Sequence, residues 1–192
     1  MADFNLAYKL TMGIEGGYAN AASDKGGETY GGVSRNNFPN WSGWKIIDEL
    51  KGRPGFEKAL QNSSDLQAAK RAFYQVNFWD VLKLSQVENQ AIATELFDFG
   101  VNCGAKTAAL ALQRSLNVLN KRAKFYPDIV VDGAIGGGTL AALAKANQKD
   151  VLKCIVSIQG ARYIGLAEKE ESQEDWMAGW IRRAFEQFSL TA

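Results

Sequence analysis

The chain contains no histidine. That excludes Ser-His-Asp and Cys-His nucleophile systems, His-ligated zinc and HExxH metalloprotease sites. If the protein is an enzyme, its proton transfers fall to Asp, Glu, Lys or Tyr, with carboxylates the simplest assumption. Cysteine is scarce: Cys103 and Cys154 are the two present. They make a poor disulfide framework and no metal site, and both sit in apolar helical patterns, so they are read as reduced and buried. Neither sign of charge dominates, with 22 Lys and Arg against 21 Asp and Glu. Without a global basic field, nucleic acid is not expected as a partner. No apolar run approaches the roughly 20 residues of a membrane span. The opening Met1-Ala2-Asp3-Phe4-Asn5 lacks the basic start, apolar stretch and cleavage site of a signal peptide. The expectation is synthesis in the cytoplasm, with any target beyond it reached by an unidentified delivery route.

What is present is mostly helical periodicity. Asp3 or Asn5 caps a first helix with Leu6, Leu10 and Ile14 on one face. Gly16 and Gly17 stop it, and a glycine-dense stretch follows that suits tight turns and a small β-hairpin near residues 20–34. Ser42 opens a helix carrying Trp44, Ile47 and Leu50, and Gly52-Arg53-Pro54-Gly55 breaks the pattern. Asp65 opens an amphipathic run through Leu66, Ala69, Phe73 and Val76. Residues 91–101 form a nearly all-apolar buried helix, and residues 105–119 another. A loop spans 127–138, with an extended piece at 129–131, before Thr139 caps the next helix. Long helices cover 151–167 and 176–188. Trp41, Trp44 and Trp79 are read as core. No internal repeat, low-complexity segment or linker interrupts the chain, which reads as one mainly helical unit.

The chemistry concentrates where the first helix ends. Glu15-Gly16-Gly17-Tyr18 is followed by Asp24-Lys25-Gly26-Gly27-Glu28-Thr29-Tyr30-Gly31-Gly32-Val33. A glutamate at a helix C-terminus meets the negative end of the macrodipole, which raises its pKa. A general acid for a glycosidic oxygen needs such a raised value, about 6 when the group is also desolvated. Asp24 lies across the turn, within reach of the roughly 5–10 Å separation of paired glycosidase carboxyls. Taken singly, Glu15 reads as a solvated helix-end residue, Asp24 as a turn former, and Thr29 as either a strand residue or a water-positioning hydroxyl. Together they are the arrangement that glycosidic cleavage needs. Tyr18 and Tyr30, among the glycines, are candidate sugar platforms. Asp98 and Asn102 share a helix face, and Asn102 is a candidate sugar contact. Arg182 and Arg183 read as solvated or as a grip for acidic groups.

The spacing Glu-x8-Asp-x4-Thr resembles that of phage-type lysozymes, one residue shorter before the threonine. The fuller string is similar to glycoside hydrolase family 108, peptidoglycan N-acetylmuramidases of the lysozyme-like superfamily. Its Glu-Gly-Gly-Tyr block and its Asp-x-Gly-Gly-x-Thr block both occur. The chain then departs: Tyr30 stands where a small polar residue is usual, Gly31 where an aromatic is usual and Val33 where Ile is usual. Tyr74 and Trp79 resemble the tail of the family's middle helix. Residues 95–104, residues 131–140 and Gly179-Trp180-Ile181-Arg182-Arg183 resemble motifs of a C-terminal predicted peptidoglycan-binding region.

The resemblance implies a mainly α, α+β lysozyme-like fold, helical and two-lobed. It places a catalytic region at 1–90 and a helical C-terminal region at 91–192, packed together as one structural unit. It implies cleavage of the β-1,4 bond between N-acetylmuramic acid and N-acetylglucosamine by a monomer acting on peptidoglycan glycan strands, with no cofactor or metal. Glu15 would protonate the leaving oxygen; Asp24, with Thr29, would position water or stabilise charge. Phage lysis and cell-wall remodelling both fit, and some relatives are labelled secretion activators. The rival readings are a lytic transglycosylase, which needs no second carboxylate, and a non-catalytic wall-binding or secretion-accessory protein.

Overall fold

The computed structural model describes residues 1–13, 17–20 and 27–189, with side chains of the last helix as far as residue 185. The chain forms two compact units, Met1–Thr11 with Asn77–Ala192, and Met12–Val76. The expected boundary at residue 90 falls inside the first of these.

In the first unit, α1 (Phe4–Met12) is capped by Asp3, whose Oδ1 accepts from the Asn5 amide at 2.6 Å. Its buried face is Phe4, Ala7 and Thr11, whereas Leu6 and Leu10 are 53% and 44% exposed. The expected leucine face is therefore corrected. Phe4 fixes the rotation of the helix, because its ring packs edge-on against Trp79 and Phe97 at 5.6 and 5.7 Å.

The centre of this unit is α5 (Gln90–Cys103), buried without a break from Ile92 to Gly100. A helix buried on all sides needs cover on all sides. It is packed by α6 (Ala105–Leu119), α8 (Gln148–Ala167) and α9 (Glu174–Ser189). Asn89 and Asn147 cap α5 and α8 through their side-chain oxygens. Between α6 and α8 lies α7 (Gly137–Lys145), preceded by Gly136, which offers no side-chain cap. Thr139 is not the expected cap; it sits inside α7 and is buried. Residues 129–131 form no strand. The Asp132-Gly133 turn is present, its Asp132 Oδ1 accepting from the Ala134 amide and the Gln113 amide group, both at 2.8 Å. Cys103 and Cys154 are free and half-buried, not fully buried as expected.

The second unit holds a three-stranded antiparallel sheet of β1 (Tyr18–Ala19), β2 (Thr29–Tyr30) and β3 (Val33–Ser34), in that order. The expected hairpin thus gains a strand. Gly31 and Gly32 form the β2–β3 turn with φ of 51° and 82°, the left-handed pair that a two-residue hairpin requires. Around the sheet are α2 (Gly43–Leu50), α3 (Phe56–Asn62) and α4 (Ser64–Tyr74). Ser63 caps α4, accepting from the Leu66 amide at 3.2 Å, while Ser42 makes no cap bond. Trp41 and Trp44 are buried edge-to-face at 5.0 Å, and Phe73 lies 6.2 Å from Trp41. The chain continues from α4 as a π-helix over Gln75–Asp80, with Trp79 buried as expected and Val76 exposed. Among the described residues the fold is mainly α with one small antiparallel sheet, in agreement with the expected class.

Candidate active site

Glu15 and Asp24 lie outside the described residues. What is described is the frame on either side of them. β1 begins at Tyr18 and β2 at Thr29, with Tyr18 opposite Tyr30 and Ala19 opposite Thr29. The Gly31 amide donates to the Gly17 carbonyl at 3.3 Å. Backbone pairing thus holds the segment that follows Glu15 beside the segment that follows Asp24.

Thr29 is half-buried and donates its hydroxyl to the Gly27 carbonyl at 3.2 Å, which leaves its oxygen as an acceptor. Tyr18 is half-buried, edge-on to Phe56 at 4.9 Å. Burial, then the hydrogen bond to and charge of Glu28, raise its phenol pKa above the ordinary value. Tyr30 is only 4% exposed. Its ring stacks on Trp41 at 6.4 Å and carries the Lys70 ammonium 5.9 Å from its centroid. Little ring surface is left for a sugar, so Tyr30 builds the wall of the site and is not the open platform expected. Its hydroxyl donates to the Leu60 carbonyl at 3.4 Å and accepts from Gln67 at 2.8 Å. Burial raises its pKa.

These residues border a cleft of about 440 Å³ lined by Gly17, Tyr18, Tyr30, Leu60 and the polar side chains of Glu57, Gln61, Gln67 and Lys70. The last four were not singled out in the sequence. Glu57 and Gln61 stand one turn apart on α3, a helix too short and too weakly periodic to be read in advance. Gln67 and Lys70 share a face of α4, where polar residues ordinarily mean only a solvated side. Aromatic edges, two amides and charges of both signs can grip an array of hydroxyls and acetamido groups.

A second carboxylate beside the cleft, Glu28, is held by ion pairs. Arg35 Nε lies 3.0 Å and Lys51 Nζ 2.7 Å from it, and both cations also reach Asp48 at 2.8 Å. Hydrogen bonds from Lys51 and Arg35 hold Asp48 below its ordinary pKa. Burial alone would lower the Lys51 ammonium, but bonds to Asp48 and Glu28 raise it. Arg35 also stacks over Trp44 at 4.6 Å. So engaged, Glu28 braces the sheet against α2.

Asn102 belongs to the first unit. Its amide donates to the Asp98 carbonyl at 2.8 Å and to Asp98 Oδ2 at 3.3 Å, which ties it to the last turn of α5. Asp98 is buried and pairs with Arg183 Nε at 2.8 Å, and Arg183 also donates to the Thr11 carbonyl at 2.9 Å. Arg183, partly exposed, thus serves as a structural tie. Arg182 is exposed, with Nε on the Ala178 carbonyl.

The sequence model described as Glycosyl hydrolase 108 matches residues 8–104, and that described as Predicted Peptidoglycan domain matches residues 107–185. The chain belongs to the glycosyl hydrolase 108 family. It is accordingly a glycoside hydrolase with peptidoglycan as its substrate class. No curated protein matches it. Among solved structures it is similar to that titled "Structure of Brucella abortus SagA", at 20% identity and a TM-score of 0.63, covering 98% of this chain and 95% of that one. At that identity the likeness speaks for the fold alone. The cleft described above lies wholly within the segment that the family 108 model matches. Among the described residues no group of His, Cys, Asp and Glu is arranged to hold a metal ion, and no helix is long and apolar enough to cross a membrane.

Proposed function

We propose that the chain is an N-acetylmuramidase that hydrolyses the β-1,4 bond following N-acetylmuramic acid, with Glu15 as general acid. The observation that carries this reading is the polar and aromatic cleft that opens at Gly17-Tyr18, immediately downstream of Glu15. Glu15 gives its proton to the leaving oxygen as the bond breaks. Positive charge then develops on the ring oxygen and anomeric carbon. Asp24 stabilises that charge or orients the attacking water, and Thr29, whose oxygen remains free to accept, helps to hold the water. Tyr18 offers a half-buried ring edge to the sugar; Gln61, Gln67 and Lys70 supply donors.

The decisive experiment incubates the protein with purified sacculi and determines the ends of the released fragments. Reducing muramic ends are expected. Anhydromuramic ends would make the protein a lytic transglycosylase, and sacculi bound but left intact would make it a non-catalytic wall-binding protein.

A further inference from the structure

In the first unit a groove of about 610 Å³ runs between one face of α6 and one face of α8. Its helical spacing is regular: Thr107, Leu110, Ala111 and Arg114 on α6, and on α8 a row from Cys154 to Leu166. Phe99, Leu110 and Ile158 make an apolar floor. Ala161 and Gly165 keep it open, and a Cβ built at Gly165 would meet nothing within 4 Å. Arg114, Arg162 and Lys169 stand on the rim, all exposed. Among the described residues none of the three is held in an ion pair. The lining contains no carboxylate, no Asn or Gln, and no Tyr or Trp.

This is the reverse of the cleft in the second unit. A sugar is held by exposed aromatic faces and by several side chains that both donate and accept, whereas the groove offers one fully buried ring, Phe99, and two hydroxyls, Thr107 and Ser157. Three cations around a floor suited to small aliphatic groups select an occupant bearing carboxylates and methyls. From Cys154 to Leu166 the α8 face runs about 18 Å, the reach of about five extended residues. The peptide stem of peptidoglycan has this character: a short chain in which alanine methyls alternate with free carboxylates.

We infer that the α6–α8 groove binds the carboxylate-bearing stem peptide of peptidoglycan, so that the first unit reads the peptide while the second reads the glycan. The inference rests on the proposed peptidoglycan substrate and adds a separate site to it.

The probe is N-acetyl-L-alanyl-γ-D-glutamyl-meso-diaminopimelate, titrated calorimetrically into the full chain. Saturable binding that weakens with added salt is expected. Arg114→Glu with Lys169→Glu should weaken it about tenfold or more. Gly165→Phe, which fills the groove without altering charge, should weaken it comparably while circular dichroism stays native. The tripeptide should also slow alkylation of Cys154 by N-ethylmaleimide, read by peptide mass spectrometry.

Peptide-free glycan is assayed in parallel. Protein that hydrolyses it yet binds no tripeptide overturns this inference and leaves the proposed function standing. Protein inert on every wall substrate that still binds the tripeptide overturns the muramidase reading and keeps this one. Binding unaltered by both groove variants, or a dimer that Gly165→Phe dissociates, places something else in the groove and overturns the inference.

Discussion

Two carboxyl groups show how differently one side chain behaves in two settings. Glu15→Gln keeps the shape of the side chain but removes the proton it would donate. Wall hydrolysis should fall by at least about 10²-fold with the fold unchanged. Asp24→Asn should cost less, because charge stabilisation and water orientation are shared with Thr29 and solvent. Turbidity clearance by both variants checks the pair; near-native clearance by Glu15→Gln would remove Glu15 from the mechanism. Glu95 is the opposite case. It is 2% exposed on α5, and Asp98 takes the Arg183 cation for itself. Burial, then the Asp98 charge, push its carboxyl up to about 8 from an ordinary 4.5. Below that ordinary value Glu95 is protonated whether folded or not. Between about 4.5 and about 8 the unfolded chain ionises while the native one stays protonated, so unfolding releases a proton. Stability contributed by this residue therefore falls as pH rises through that window, by up to about 1.4 kcal/mol per pH unit. Chemical denaturation at several pH values should show a shallower decline for Glu95→Gln than for wild type. Parallel curves would mean that Glu95 ionises normally in the native state.

The β2–β3 turn is the element on which the candidate site most depends. Gly32 has φ of 82°, and a Cβ there would stand 2.5 Å from the Tyr74 hydroxyl, which donates to the Gly31 carbonyl at 2.8 Å. Gly32→Ala should cost about 1–2 kcal/mol from backbone conformation alone, with displacement of Tyr74 adding to it. The thermal midpoint should drop, and hydrolysis should drop further than stability does, because the turn aligns Thr29 and Tyr30 beside Gly17. An unchanged midpoint would show that the turn relaxes freely. Elements of this kind differ in how openly a sequence shows them. The periodicity of α6 was strong enough to give its bounds, residues 105–119, without error. In α1 the same kind of reasoning chose Leu6 and Leu10 as the buried face, because hydropathy ranks leucine above tyrosine and threonine. The actual face follows from Phe4 meeting Trp79 and Phe97, partners far along the chain. Thr139 was read as a cap from residue type alone, but the helix starts two residues earlier with glycine backbone. In the site, the Glu-Gly-Gly-Tyr and Asp-x-Gly-Gly-x-Thr blocks were legible because their spacing is unusual. Glu57, Gln61, Gln67 and Lys70 were not, since ordinary polar residues on helix surfaces carry no local mark of the cleft they face.

At the scale of the whole chain, the order of the units dictates how folding is coupled. The chain starts in the first unit, enters the second after Thr11 and returns at Asn77. Phe4 cannot reach Trp79 and Phe97 unless residues 12–76 bring their own ends together, so closing the first unit draws on the second. Arg183 adds a tie from the opposite terminus, joining α9 to Asp98 on α5 and to the Thr11 carbonyl on α1. Arg183→Met leaves Asp98 buried without its cation; because Arg183 is partly exposed, the cost should be near the lower bound for such pairs, about 3 kcal/mol. Urea unfolding would measure it, and a loss below about 1 kcal/mol would mean that the pair is solvent-screened. The same connectivity makes a sharper prediction about the family match itself. A fragment ending at residue 104 contains the whole segment that the hydrolase model matches. It retains α5 but loses α6, α8 and α9, the helices that cover Ile92 to Gly100. Exposing Phe97, Phe99 and their neighbours together creates an apolar surface that a soluble fold does not tolerate. The fragment should therefore be insoluble or molten, whereas the full chain should unfold in one cooperative transition. A soluble fragment 1–104 with a sharp thermal transition and wall-hydrolysing activity would show that the second unit and α5 stand without the C-terminal helices, and that the matched boundary is a physical one.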